Sequence, residues 1–237
     1  MSYLLTVDVD WASTEDIDLT LDVLQQLGLT STWMLTNEPT ERLLEASRSG
    51  CVEFGIHPNF LPGSSHGSTV EEVLSTVMSF APEARVMRTH SLFQYGGLWP
   101  QVLSQTNITL DSSLFLPDLS SPQLFRMKFA SRTLIRVPFV WADDYALIGG
   151  QQSQPVKTGY STGVPWVFMV HPVHVATAVR LEGSPELALE SLSSAGSWSV
   201  SREQAGYQQI MEALRFLSAQ PSTCRFLSEI GVDSRQE

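Results

Sequence analysis

Short apolar runs alternate along the chain with segments whose apolar residues recur at helical spacing. The first run covers residues 3–10, is rich in β-prone residues and ends in a pair of aspartates. The segment that follows, residues 15–27, carries apolar side chains on one face, and Gly28 ends it. Repetition of this strand–helix unit predicts an α/β fold with a parallel sheet.

The same pattern defines the remaining elements. The further predicted strands cover residues 30–35, 51–56, 84–89, 108–114, 134–141 with a bend at Pro138, and 165–170. The further predicted helices cover residues 41–49, 70–80, 98–105, 187–195 and 204–218. Residues 117–132 show no clear period, residues 149–163 form a polar connection, and residues 224–227 form a last short strand or extended turn. Repeated units without a glycine-rich phosphate-binding turn favour a barrel over a dinucleotide-binding fold. We expect one domain over residues 1–237.

Composition restricts the partners of this domain. The net charge is -11, and 14 basic residues form no visible patch, which disfavours nucleic acid and anionic membrane surfaces. No basic leader and no apolar run long enough to span a bilayer stand out. Cys51 and Cys224 are far apart, and we expect two small buried residues rather than a disulfide or a zinc knuckle. These features predict a soluble, cytoplasmic protein with no membrane span.

Two carboxylates end the first predicted strand. Asp8 and Asp10 are two residues apart, so alternation along a strand points both side chains the same way. Chemistry in parallel α/β folds lies at this end of the strands. Neighbouring carboxylates repel each other unless a proton, a cation or a metal intervenes, so the pair predicts a positive partner.

Histidines follow several later strands. His57, His90 and His171 each come directly after a predicted strand, and in a barrel these positions converge on the rim that holds the aspartates. One histidine at a strand end is more often a hydrogen-bonding residue than a ligand, but the group together suits a divalent metal such as zinc. His66 lies in a Ser/Gly-rich loop, where we expect a solvated side chain. For His174 we expect either a hydrogen bond to a metal-ligating residue or a position at the surface.

Two further segments carry candidate site residues. Arg88 lies two positions before His90, and its guanidinium is placed to hold Asp8 ionised, or else pairs with a structural carboxylate. After the sixth strand, Trp141 either lines a sugar site or belongs to the core. Asp143 either pairs with Arg88 or, with Asp144, caps the next segment; either aspartate is also a candidate partner for a protonated His171.

An ordered series of segments resembles the motifs of the polysaccharide deacetylases, carbohydrate esterase family 4. In chain order the segments are Thr6-Val7-Asp8-Val9-Asp10, Gly28 to Leu35, Gly55-Ile56-His57, Arg88-Thr89-His90, Asp111-Ser112-Ser113 and Val170-His171. Each segment alone is weakly specific, whereas the ordered set is fairly specific.

The resemblance implies a distorted (β/α)7 barrel with parallel strands and outer helices, a divalent metal that is most often Zn²⁺, and removal of the N-acetyl group from a sugar. It matches Asp8 to the general base, Asp10 and His57 to metal ligands, Arg88 to the arginine that orients the base, and His171 to the general acid. With a cytoplasmic location, the expected partner is an N-acetylated sugar or a nucleotide- or lipid-linked glycan precursor.

The chain departs from the family pattern at one metal ligand. The family places its second metal histidine four residues after the first, where this chain has Leu61. We expect His90, which replaces the proline of the third motif, to be the third ligand, because a strand end holds a side chain better than a loop does. His66 is the alternative.

Three other functions compete with this interpretation. A related barrel can hydrolyse other C–N bonds, as an imidase or formamidase does. A barrel that has lost a metal ligand can bind a carbohydrate without reacting it. An Asp-x-Asp strand end also opens haloacid-dehalogenase-type phosphotransferases, but neither Lys128 nor Lys157 stands at a strand end as that chemistry requires.

Overall fold

The computed structural model describes residues 2–117, 119, 121, 123–148, 164–183, 200–220 and 226–230, with only the backbone for residues 200–204. The strands are β1 (Tyr3–Asp8), β2 (Ser31–Leu35), β3 (Val52–Ile56), β4 (Val86–Met87), β5 (Leu110–Asp111), β6 (Phe125–Phe129), β7 (Arg132–Arg136), β8 (Phe139–Ala142) and β9 (Trp166–Val170). The helices are α1 (Thr14–Gln26), α2 (Glu41–Arg48), α3 (Val70–Phe80), α4 (Leu98–Gln105), α5 (Asp143–Leu147), α6 (Pro172–Gly183) and α7 (Val200–Ser218). Short 3₁₀ turns cover His90–Leu92 and Leu227–Glu229.

The strands form one curled sheet in the order β6-β7-β5-β4-β3-β2-β1-β9-β8. Neighbouring strands are parallel except in the β6–β7 hairpin. Beyond β5 the chain meets β8 again, where Leu116 N and Phe139 N donate to Phe139 O and Leu114 O, each over 2.9 Å. This contact links the two sides of the sheet, so the predicted distorted barrel of parallel strands and outer helices is confirmed.

The first strand lies at the centre of the sheet. Every residue of β1 is buried, and β1 pairs with β2 on one side and β9 on the other. Burial on both faces explains why the apolar residues Tyr3, Leu4 and Leu5 are consecutive rather than alternating with polar ones. Helix α1 follows and begins at Thr14, one residue before its predicted start, because Ser13 Oγ caps it by accepting a hydrogen bond from Asp16 N. The carboxyl end of β1 is therefore a rigid platform.

Several predicted elements differ from the observed ones. The strand predicted over residues 134–141 breaks at Pro138 into β7 and β8, since proline has no N–H to donate. The segment predicted as irregular contains β6, whose mostly exposed residues give no burial period. Helix α6 was not predicted, although it begins with proline, which suits a first helical turn. The helix predicted over residues 187–195 lies outside the described residues, as does the start of the segment at 224.

The cysteines and the absence of a membrane span were also predicted from the sequence. Cys51 is partly exposed rather than buried, because it lies at the turn before β3, and Cys224 lies outside the described residues. None of the described helices combines the length and the apolar composition that crossing a bilayer requires.

Close packing at Gly55 in β3 generates a stability prediction. A Cβ atom there would lie 2.6 Å from Met34 Sδ and 3.0 Å from the Val86 carbonyl oxygen. We expect Gly55→Ala to lower the free energy of unfolding by about 1–3 kcal/mol, because the backbone oxygen of β4 cannot move aside cheaply. Gly96→Ala is the control, since a Cβ there meets nothing within 4 Å. Urea unfolding measures both; equal stability of the two variants would contradict the packing argument.

Candidate active site

Asp8 and Asp10 lie at the same rim of the barrel but in different backbone conformations. Strand β1 ends at Asp8, whereas Asp10 lies past the strand end in a left-handed turn with φ of 44°, followed by Trp11 at 54°. The expectation that strand alternation orients both side chains is therefore wrong for Asp10. His57 nevertheless contacts both carboxylates: its Nε2 lies 3.9 Å from Asp8 Oδ2 and 3.0 Å from Asp10 Oδ1.

Asp10 collects three imidazoles. His57 Nε2 and His90 Nδ1 approach the same oxygen, Asp10 Oδ1, at 3.0 and 2.9 Å. His171 Nε2 lies 3.3 Å from the other oxygen. Burial alone would raise the pKa of Asp10, but hydrogen bonds from the three histidines lower it far below its usual range. The structure thus brings the strand-end histidines together around one ionised carboxylate.

His90 is carried by a turn rather than by a strand. Strand β4 ends at Met87, and His90 opens a 3₁₀ turn in which Ser91 and Leu92 have φ of 52° and 54°. His90 N donates to Pro58 O over 3.0 Å, which joins the loops after β3 and β4. The strand-end position predicted for His90 is therefore displaced, because β4 is short.

A hydrogen-bond network holds this turn at both ends. Thr89 N donates to Ser113 Oγ at 2.8 Å, and Gln94 Nε2 donates to the Ser113 carbonyl at 2.7 Å. Ser113 Oγ in turn donates to Asp111 at 2.5 Å. Arg136 closes the network through Asp111 Oδ2 and Gln94 Oε1, both at 2.7 Å. The short β4 is compensated by side chains that fix the turn.

Arg88 is fully buried, and its guanidinium donates four hydrogen bonds. Its Nη1 donates to Asp8 Oδ1 at 2.7 Å and to Thr6 Oγ1 at 2.8 Å. Its Nε and Nη2 donate to the carbonyl and the hydroxyl of Ser112 at 2.8 and 2.9 Å, and the guanidinium lies 4.4 Å from the centre of the Phe139 ring. Asp8 therefore has one oxygen held by Arg88 while its side chain lines a cavity.

His66 has a structural role in this geometry. It is buried, with Nε2 2.7 Å from the Thr36 carbonyl and Nδ1 accepting from Asn59 N at 3.1 Å. The two backbone partners require a neutral ring with the proton on Nε2, and burial lowers the pKa of His66. The expectation of a solvated histidine is wrong because the loop folds back over its own side chain. Neither ring nitrogen is free for a metal.

Asp143 pairs with histidines rather than with Arg88. It opens α5 in a fully buried position, where Oδ1 accepts from His171 Nδ1 at 2.7 Å and Oδ2 from His171 N at 2.5 Å. His174 Nδ1 lies 3.2 Å from Oδ2. His174 lies in helix α6, which was not predicted from the sequence. Of the two roles left open for Trp141, lining a sugar site or belonging to the core, the structure shows the second, because Trp141 has no exposed surface.

The contact between Asp143 and His171 shifts their pKa values in opposite directions. Burial would raise the pKa of Asp143, but the charges of His171 and His174 lower it well below its usual range. Burial would lower the pKa of His171, but the Asp143 carboxylate raises it well above its usual value. His171 is therefore an imidazolium near neutral pH, with Nε2 directed to Asp10.

These groups face one cavity of about 380 Å³. Its polar lining comprises Asp8, Asp10, His57, Thr89, His90, Ser91, Asp144 and His171. Its apolar lining comprises Leu92, Phe115, Phe139, Ala142, Tyr145, Ile148 and Met169. A concave apolar pocket with a few convergent ionised groups is the usual form of a small-molecule site.

The residues fit a divalent cation. One ligand atom each from Asp10, His57 and His90 lies within 4.8 Å of the others. Nitrogen and carboxylate oxygen are the ligands that zinc takes. Asp143, His171 and His174 meet the same distance criterion, but Asp143 Oδ1 already accepts from His171 Nδ1 and from Asp144 N at 2.8 Å.

Comparison with known proteins identifies the family of this chain. The family model described as WbmS-like polysaccharide deacetylase matches residues 5–182, and the chain belongs to this family. A search of curated proteins finds no match.

Solved structures give related results. The chain is similar, with 26% identity and a TM-score of 0.65, to WbmS of Bordetella bronchiseptica, which is described as a polysaccharide deacetylase involved in O-antigen biosynthesis; the match covers 89% of this chain and 90% of that one. Peptidoglycan deacetylase PdaC of Bacillus subtilis matches at 12% identity and a TM-score of 0.46 over 96% and 88% of the two chains, and carries no further argument.

The pairing of Asp143 with His171 predicts a pH-dependent loss of stability in Asp143→Asn. The raised His171 pKa contributes stability below the ordinary histidine pKa, and that contribution is lost as pH rises through the raised value. The lowered Asp143 pKa contributes stability above the ordinary aspartate pKa, and that stability is lost as pH falls through the lowered value. The free energy of unfolding of the variant should therefore fall most near neutral pH, by up to about 3 kcal/mol.

Urea unfolding across pH, together with NMR titration of the His171 ring in chelator-treated protein, measures this prediction. The His171 pKa should fall in Asp143→Asn. Asp144→Asn removes the same charge from the exposed neighbour and should change both quantities much less. An unchanged His171 pKa in Asp143→Asn would show that this carboxylate does not hold the proton.

Proposed function

We propose that the protein is a metal-dependent N-deacetylase that releases acetate from an N-acetylated sugar or glycan precursor. One observation carries the proposal: Asp8, oriented by a hydrogen bond from Arg88, shares a cavity with the Asp10–His57–His90 group. Family membership supports the deacetylase class. The cytoplasmic location and the identity of the sugar stay predictions.

Asp10, His57 and His90 are the residues that would hold the metal. Their ligand set suits Zn²⁺, although other divalent ions accept the same atoms. When bound, such an ion polarises the acetyl carbonyl and lowers the pKa of water.

Asp8 is the proposed general base. Arg88 Nη1 donates to both Thr6 Oγ1 and Asp8 Oδ1, and these hydrogen bonds hold the Asp8 carboxylate toward the cavity. Asp8 takes one proton from the attacking water as the water oxygen bonds to the acetyl carbon. Proton transfer of this kind increases the rate by about 10²–10⁴-fold.

His171 is the proposed general acid. Asp143 accepts from Nδ1, which leaves the Nε2 proton on the cavity side. When the tetrahedral intermediate collapses, the C–N bond breaks and His171 donates this proton to the leaving nitrogen. The products are a free amino sugar and acetic acid, which ionises to acetate. Asp8 then loses its proton and His171 gains one, both through solvent, which restores the starting state.

The role of Asp8 generates the most direct kinetic prediction. Asp8→Asn keeps the size of the side chain but cannot accept the proton, so kcat should fall by roughly 10²–10⁴-fold. Acetate release from N-acetylated hexosamines measures kcat, and metal analysis by mass spectrometry should find the same metal content as in the wild type. Full activity in this variant would contradict the assignment. Loss of metal would indicate that Asp8 is a ligand instead.

The choice of third ligand generates a second prediction. His90→Ala removes one of three protein ligands and should weaken zinc binding by at least about 100-fold, measured by competition with a chromophoric chelator. His66→Gln is the matched control: it replaces a nearby histidine whose ring nitrogens contact backbone groups, and it should keep zinc affinity. Loss of zinc in His66→Gln with retention in His90→Ala would reverse the assignment.

A further inference from the structure

The active-site cavity has a larger apolar side than removal of an acetyl group requires. An acetyl group presents one methyl group to an apolar surface, whereas seven apolar side chains line this cavity of about 380 Å³. The largest of these side chains are the rings of Phe115, Phe139 and Tyr145, which together form the aromatic wall of the cavity. The reaction proposed above leaves most of this wall without a partner in the substrate.

The aromatic wall is held in place by contacts among its own rings. Phe115 stacks on Phe139 with ring centres 4.9 Å apart, and Tyr145 meets Phe115 edge-on at 5.2 Å. Phe139 is buried, and Phe115 and Tyr145 pack against the apolar cluster inside the barrel to which Phe139 belongs. A ligand therefore meets a preformed surface and does not have to order it.

The aromatic wall begins beside the proposed general base. The centre of the Phe139 ring lies 4.4 Å from Arg88 Cζ, and the same guanidinium donates to Asp8 Oδ1 at 2.7 Å. In the proposed reaction Asp8 activates the water that attacks the acyl carbon, whereas the leaving nitrogen and its sugar face the general acid. The acyl group is therefore the part of the substrate that lies nearest to Phe139.

The apolar surface continues from the aromatic wall to the mouth of the cavity. Tyr145 lies in α5, and Ile148 directly follows the end of this helix. Ile148 lines the cavity, yet 67% of its surface is exposed to solvent. An apolar side chain left in water gains free energy when an apolar group covers it. The surface thus extends from a buried ring beside the reacting centre to an exposed residue that a longer chain could cover.

The chemistry of this surface favours a hydrocarbon chain over a sugar ring. The side chains of Phe115, Phe139 and Ile148 contain no oxygen or nitrogen, so sugar hydroxyls placed there would lose water without gaining a hydrogen bond. Each methylene of a hydrocarbon chain instead gains free energy when it leaves water. The sugar hydroxyls have partners in the polar lining of the cavity, which includes Ser91 and Asp144.

We propose that the protein also removes unbranched N-acyl groups longer than acetyl, such as butyryl, from its sugar substrate, with the chain lying along the aromatic wall toward Ile148. The bonds that change are those of the acetyl reaction: water adds to the acyl carbon, the C–N bond breaks, and the products are the amino sugar and the longer carboxylic acid. The hydrolysis rests on the proposed function, whereas the wall can be tested by binding alone.

Calorimetric titration of the zinc-loaded protein with alkyl hydroxamates tests the wall without a sugar and without turnover. The probes are acetohydroxamate and hexanohydroxamate, which share a zinc-binding group and differ only in chain length. We expect hexanohydroxamate to bind at least about 15-fold more tightly, which is the gain from burying two methylenes. Tyr145→Ala and Ile148→Ser should each lower this ratio by about fourfold or more, equivalent to one methylene left in water.

Val173→Ser is the matched control, because Val173 is an exposed branched residue, at 44%, that does not line the cavity, and it should keep the wild-type ratio. Equal affinities for the two hydroxamates, absence of hexanohydroxamate binding, or a wild-type ratio in both Tyr145→Ala and Ile148→Ser overturns the proposal.

Release of carboxylic acid from N-acetyl- and N-butyrylhexosamines by the wild type separates this inference from the proposed function. We expect both acids to be released, with a higher kcat/KM for the butyryl substrate. Release of acetate without butyrate overturns the longer-chain activity and keeps the proposed function. A chain-length-dependent hydroxamate affinity without release of either acid refutes both activities and leaves the wall as a binding surface only.

Discussion

The buried ion pair between Asp8 and Arg88 determines the arrangement of the site. Burying a guanidinium and a carboxylate is costly unless hydrogen bonds replace the lost water. Arg88 meets this condition with donors to Thr6, Asp8 and Ser112 and with a ring face at Phe139. These partners come from β1, β8 and the chain after β5, so one side chain connects distant parts of the barrel. The same contacts orient the Asp8 carboxylate at the cavity.

The other half of the site depends on how charge is shared between carboxylates and imidazoles. Asp10 receives three histidines, and one of them, His171, is also bound by Asp143. His171 therefore lies between a carboxylate in the cavity and a carboxylate in the core. The core partner holds Nδ1, which fixes the ring orientation and leaves Nε2 for chemistry.

The sequence predicted the features that depend on strand ends and pattern. The barrel follows from repeated strand–helix units, and the proximity of Arg88 to Asp8 follows from carboxyl ends that share one rim. His57 and His171 follow β3 and β9 directly, as expected. The features that were missed depend on contacts distant in the chain. The left-handed turn at Asp10, the burial of His66 against Thr36 and the network from Ser113 to Arg136 leave no local pattern. Helix α6 was missed because residues 172–183 follow a strand without a distinct apolar stripe.

Anomalous diffraction at the zinc edge from zinc-soaked crystals tests the central claim most directly. We expect an anomalous peak about 2.0–2.2 Å from one ligand atom each of Asp10, His57 and His90, with Asp8 still paired to Arg88. A peak bonded to His66, or one confined to Asp143, His171 and His174, would contradict it.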